Sequence, residues 1–172
     1  MILLKVNHHL QGGMRVGVVG IGGLGQMGIQ LARAMGNTVT AISTSPAKEA
    51  AAREIGADSF VVSTSRESMV AAAGSLDLIL NTVSATHDLN TYLPLLVSGT
   101  TYLVEANFYT LNVLVQAAKG VIVQIGFALQ PHSVSQVPLI MRSLSIAGSI
   151  IGGLPATQVG ITPIIQLYPY LA

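Results

Sequence analysis

Cysteine is absent from the 172-residue chain. That absence excludes disulfides, thiolate catalysis and every zinc site that uses cysteine, and it fits a reducing compartment. Charge is also scarce: Asp, Glu, Lys and Arg make up 9% of the residues, with a formal net charge of +1 and no basic block. Nucleic acid and anionic membrane surfaces are recognised by clustered Lys and Arg, so neither is expected as a partner. The opening MILLKVNHHLQGG holds too short an apolar run for a signal peptide and no small-residue cleavage site. No charged side chain follows Arg142, but Gly152, Gly153, Pro155, Gln158, Pro163 and Gln166 break the tail. A span needs roughly 20 continuous apolar residues. A cytoplasmic protein without a membrane anchor is expected.

What is present is apolar. Hydrophobic residues make up 51%, which excludes disorder and suits strands buried on both faces of a parallel sheet. The length suits one main domain on one core.

Residues 14–19 read as a buried strand that runs into the cluster Gly20-Ile21-Gly22-Gly23-Leu24-Gly25. A helix follows, with Leu24, Met27, Leu31 and Met35 on one side and Gly36 as its left-handed cap. Residues 38–42 form a second strand, ending at the turn Ser43-Thr44-Ser45-Pro46. Pro46 suits the first turn of a helix that runs to Ile55 and is closed by Gly56. A third strand over Ser59–Val62, a short helix over 66–73 and a fourth strand over 76–81, stopping at Thr82-Val83-Ser84, continue the alternation. This rhythm predicts right-handed crossovers and a doubly wound parallel sheet, a Rossmann-type α/β fold. Two segments, 100–104 and 121–125, compete for the next strand, and 108–118 between them reads equally as helix or as insertion. Residues 144–151, from Leu144 to Ile151, read as a late strand. The last twenty residues show no clear periodicity, and there is no internal repeat.

Gly20, Gly22 and Gly25 carry the strongest chemical signal. A tight turn off a strand, close approach of backbone to a pyrophosphate, and close helix packing each require a missing side chain. Gly23 and Leu24 open the helix, whose free N–H groups and positive dipole end would meet the phosphates. NAD-selective sites place Asp or Glu at the end of the second strand, where this chain has Ser43. A carboxylate there repels a 2′-phosphate, whereas the hydroxyls of Ser43, Thr44 and Ser45 can donate to it, and Lys48 or Arg53 can add charge. NADP(H) is the expected cofactor. Asn81, Thr82, Val83 and Ser84, at the end of the fourth strand, and Gly126, after a later one, are further candidates for the sheet edge that faces the ligand. The plainer reading of these residues, as turns and caps, stands beside the functional one.

The segments GMRVGVVGIGGLGQMGIQLARAMG, STSPAKEAAAREIGAD, LDLILNTVSATHDLN and RSLSIAGSIIGG together resemble the zinc-dependent medium-chain alcohol dehydrogenases, in their cinnamyl-alcohol-dehydrogenase-like branch. The resemblance covers residues 13–158 in pieces and implies the coenzyme-binding domain of a two-domain, NADP-dependent enzyme that interconverts alcohols and aldehydes. It implies that Ser43, Ser45 and Lys48 hold the 2′-phosphate, and that subunits pair as a homodimer through the stretch from Leu144 to Ile151. It implies too that catalytic zinc belongs to a separate, cysteine-bearing domain whose ligands this chain lacks, so the chain reads as truncated and inactive alone, with no catalytic residue and no metal ligand of its own. The pattern departs at Gln26, where the family commonly has His, at 98–119, longer than the family's connection, and at the ends, 1–12 and 159–172. The alternatives are a non-catalytic nucleotide-binding or partner-subunit module, and an unstable remnant.

Other residues carry less. His8 and His9 point different ways on any regular element. His87 with Asp88 has no nucleophile beside it and reads as a helix cap; His132 sits in a Pro-containing loop without an evident partner. The carboxylates form no metal cluster.

Overall fold

A computed structural model describes residues 12–98, 120–126 and 131–148. Strands β1 (Arg15–Val19), β2 (Thr38–Ser43), β3 (Ser59–Val62), β4 (Leu78–Asn81), β5 (Gly120–Gln124) and β6 (Leu144–Gly148) form one sheet in the order β3-β2-β1-β4-β5-β6. Every pairing is parallel. Helices α1 (Gly23–Ala34), α2 (Glu49–Glu54), α3 (Arg66–Ala71) and α4 (Gln136–Arg142) occupy crossovers. This is the doubly wound Rossmann order.

Strand periodicity divides the core in two. Val16, Val18, Leu78, Leu80, Val121 and Val123 point to the face covered by α1 and α2. Val19, Ile42, Ile79 and Ile122 point to the other face, packed under the short 3₁₀ turns Leu89–Thr91 and Leu93–Leu95. Burial on both sides accounts for the near-continuous apolar strands.

The buried side of α1 differs from the expected one. Leu24 and Met27 are 47% and 43% exposed, while Gly25, Gly28, Ile29, Leu31 and Ala32 face the sheet. Small residues on that face bring the helix axis close to β1: a methyl on Gly28 would lie 3.5 Å from Val18 Cγ1. The predicted caps at Gly36 and Gly56 have φ of +79° and +110°, the left-handed region that glycine enters without strain.

Of the two candidates for the strand beside β4, the sheet takes 120–124, with Leu78 opposite Val121 and Asn81 opposite Gln124. Residues 100–104 and 108–118 lie outside the described residues, as do 149–151 of the predicted late strand. Gly120 begins β5 where a Cβ would stand 2.7 Å from Val97 O. Leu76, expected in β4, instead bridges to Leu96 and ties the 3₁₀ segment to the sheet.

Paired charges join the elements at the surface. Asp58 accepts from Val39 N–H at 2.8 Å and from Arg33 at 2.6 Å. Burial raises its pKa, and those hydrogen bonds outweigh that effect, so the carboxyl lies below its ordinary value. Among the described residues no helix is long and apolar enough to cross a membrane.

Candidate functional site

The chain leaves β1 to one side for β2 and later fills the other side with β4, so a crevice opens at the carboxyl ends of these three strands. A cavity of about 470 Å³ occupies it, a size suited to a small-molecule ligand.

The glycine turn forms its floor, and each glycine answers a separate steric demand. Gly20 has φ +90°, and its N–H donates to Ile42 O at 3.0 Å. A Cβ on Gly25 would lie 1.7 Å from Gly20 O, so the first turn of α1 can approach this loop only because Gly25 has no side chain. Around Gly22 and Gly23 a Cβ would meet nothing within 4 Å, which leaves that side open to the cavity. Thr82 Oγ1 stands 2.8 Å from Val19 O and 3.1 Å from Gly20 O, pinning the turn to the end of β4. No side chain caps α1. Its first-turn N–H groups therefore face the crevice with no intrahelical acceptor, a ready site for an anion.

Ser43, Thr44 and Lys48 form the second wall. Ser43 is buried and accepts from Ser45 N–H at 3.2 Å, which leaves its own O–H to donate. Lys48 Nζ reaches to 3.4 Å from Ile21 O, across the mouth to the glycine turn. Lys48 is the one Lys, Arg, Asp or Glu among the described lining residues, so among them a helix N-terminus and an ammonium face the cavity unopposed by a carboxylate.

The structure brings together Gly20, Gly22, Gly23, Leu24, Gly25, Ser43, Thr44, Lys48, Thr82 and Val83 around the cavity. Three other candidates stand behind its walls. Ser45 contributes a backbone N–H to Ser43. Asn81 is fully buried, its amide bonded within the protein. Gly126 packs where a Cβ would lie 2.2 Å from Val83 O, so its effect on the cavity passes through Val83. Arg53, expected to add charge, is instead bonded to Glu49 at 2.9 Å and to Asp58 O at 3.0 Å; its position on α2 offers an acid one turn away.

His87 and Tyr92 also line the cavity, and sequence reasoning missed both. His87 was read as part of a cap, and Asp88 does cap the turn, accepting from Asn90 N–H at 2.9 Å. Tyr92 is largely core. Burial raises its pKa, with Ser63 opposing the rise and Asp88 adding to it. His132 has a partner after all, His87 O at 2.9 Å from its Nδ1. A lone histidine between strands carries no periodic signal that would have announced any of this. Among the described residues no group of three or more His, Asp or Glu could hold a metal.

A parallel sheet in this order with a glycine turn at its switch point defines a dinucleotide-type α/β domain. Comparison with known proteins narrows that class. The zinc-binding dehydrogenase family matches residues 23–116. Aldehyde reductase YahK of Escherichia coli K12 is 44% identical over 147 residues, covering 85% of this chain and 36% of that protein. The structure of cinnamyl alcohol dehydrogenase SbCAD4 from Sorghum bicolor superposes with a TM-score of 0.75 at 32% identity, covering 93% of this chain and 40% of that one. The structure of CAD from Helicobacter pylori complexed with NADP(H) shares the fold, with a TM-score of 0.68 at 24% identity, covering 95% and 41%. The chain belongs to the zinc-dependent medium-chain alcohol dehydrogenases, in the cinnamyl-alcohol-dehydrogenase-like branch. It spans little more than a third of the curated relatives' length.

Replacing Gly25 with Ala tests the steric account of the turn. The methyl would overlap backbone that cannot rotate away, so urea unfolding should show a loss of about 1–3 kcal/mol, the usual cost of overpacking. An unchanged midpoint would show that the turn is looser than described.

Proposed function

We propose that this domain binds NADP(H) and presents its nicotinamide for hydride transfer between an alcohol and an aldehyde. The observation that carries the reading is Ser43 at the end of β2, where a hydroxyl stands in place of a carboxylate and Lys48 faces the same cavity. The pyrophosphate would lie against the first-turn N–H groups of α1 at Gly22, Gly23 and Leu24. The 2′-phosphate would accept from Ser43, Thr44 and Lys48, with the Ser45 N–H holding the Ser43 hydroxyl in place. Asn81, Thr82, Val83 and Gly126 form the wall at the end of β4 and its backing. The relatives named above, an aldehyde reductase and a cinnamyl alcohol dehydrogenase, support the reaction class.

Zinc, when bound in such an enzyme, polarises the substrate oxygen. The described residues here do not fit it, with no cysteine in the chain and no cluster of ligating side chains. We infer that the chain's own share of the work is binding and orientation, and that this chain alone is inactive. A homodimer would form through the outer edge of β6. Ile146 is 38% exposed there, and Ile140 and Met141 on α4 are 73% and 76% exposed, an apolar surface that edge pairing would cover. Sedimentation of the purified chain as a monomer at tens of micromolar would exclude the pairing.

Titration with NADPH and separately with NADH, followed by nicotinamide fluorescence, tests the cofactor assignment. Ser43→Asp should weaken NADPH by about tenfold or more, roughly 1.4 kcal/mol, and should leave NADH bound at least as well. Equal weakening of both, or no saturable binding of either by the folded chain, would contradict the proposal and favour a non-catalytic module of another kind.

A further inference from the structure

Behind the cavity wall lies a chain of neutral polar groups that the cofactor assignment leaves unused. Asn81 ends β4, buried between Val19 of β1 and Gln124 of β5. Its Oδ1 accepts from Val83 N–H at 3.3 Å. Its Nδ2 donates to Gln124 Oε1 at 2.5 Å and stands 2.8 Å from His87 Nε2. A backbone N–H can only donate, so Oδ1 must face Val83 and the two amide protons must face Gln124 and His87. His87 Nε2 is thereby an acceptor and carries no proton. On the other side of the ring, Nδ1 stands 2.7 Å from Ala85 O, which can only accept, so Nδ1 carries the proton. Two independent contacts require the same neutral tautomer.

The surroundings reinforce it. His132 Nδ1 donates to His87 O at 2.9 Å, and the two rings lie 5.1 Å apart. His132 Nε2 is buried without a partner among the described residues, so a proton there would be an unpaired buried donor among them. Tyr92 meets His87 edge-on at 5.9 Å. The adjacent Asp88 carboxylate is occupied by Asn90 N–H and Nδ2. Lys48 adds positive charge to the cavity that His87 lines.

We propose that His87 is a positioning residue of the nucleotide site, neutral with its proton on Nδ1, and that protonating it weakens nucleotide binding. The inference rests on the reading of the cavity as an NADP(H) site. A proton on Nε2 sets donor against donor at Asn81. Turning the Asn81 amide to relieve this breaks its bonds to Val83 and Gln124. Val83 lines the cavity and is wedged between the glycine turn and Gly126: a Cβ on Gly20 would stand 2.8 Å from Val83 Cγ2, and one on Gly126 2.2 Å from Val83 O. Displacing Val83 therefore moves the wall against which the nucleotide lies.

The test has two arms. In the first, calorimetric titration with NADP⁺ gives the ratio of Kd at about pH 5.5 to Kd at about pH 8, for the wild type and for His87→Gln. Glutamine can accept from Asn81 and does not titrate. The 2′-phosphate titrates in both proteins, so only the difference between the ratios is read. The wild-type ratio should exceed the variant's by about fivefold, the ordinary worth of one hydrogen bond, with circular dichroism showing both folded at both pH values; equal ratios overturn the proposal. The second arm needs no nucleotide. Two-bond ¹H–¹⁵N spectra should show the Nδ1–H tautomer for His87 at about pH 8, and the Val83 amide should shift with the midpoint of His87 titration. An Nε2–H tautomer, or a Val83 amide indifferent to that titration, overturns the proposal even where the first arm finds no binding and it is the cofactor assignment that has failed.

Discussion

The contact between Gly25 and the carbonyl of Gly20 is the constraint on which the rest depends. Because Gly25 lacks a Cβ, the first turn of α1 descends onto the loop that leaves β1, and Thr82 fastens that loop to the end of β4. Helix, turn and two strand ends are thus held at one point. The same closeness aims the unpaired N–H groups of the helix into the crevice, so packing and the proposed anion site have one steric origin. A larger residue at Gly25 would separate the helix from the sheet and misdirect those donors together.

Around this point the cavity is built from residues distant in sequence, each placed by the carboxyl end of a strand. β1 supplies the turn, β2 supplies Ser43, and β4 supplies Thr82 and Val83. Lys48 reaches in from the 3₁₀ turn Pro46–Lys48, where Pro46 suits the opening of a helical turn directly after β2. The charge pattern is spare: among the described lining residues there is one ammonium, one helix dipole and no acid. With so few charges in the chain, that arrangement favours an anion over a cation in the proposed site.

Much of this was legible in the sequence because the signals were local. Strand β3 falls where alternation and flanking turns placed it, and Gly36 and Gly56 adopt the positive φ expected of helix caps. The glycine turn was readable because Gly20, Gly22, Gly23 and Gly25 stand together where a strand gives way to a helix. Misplacements arose where tertiary packing decides. Leu24 and Met27 fit an apolar helical stripe, yet small residues won the sheet-facing side, because closeness to β1 matters more there than side-chain volume. Asn81 looked like a ligand contact at a strand end, and only its pairing across the sheet with Gln124 and its link to His87 make it part of the frame. Nothing within a few residues of His87 or Tyr92 announces that they reach a cavity whose floor lies some sixty positions earlier.

The central claim is that a dinucleotide lies with its pyrophosphate on the first turn of α1. Amide chemical-shift mapping of the ¹⁵N-labelled chain with NADPH tests it most directly. The account predicts that the amides of Gly22, Gly23, Leu24 and Gly25 shift most, together with those of Ser43, Thr44 and Val83, while residues of the groove between α3 and β3, such as Ser68 and Ser75, stay unchanged. Shifts centred on that groove, or spread without a focus at the glycine turn, would contradict it.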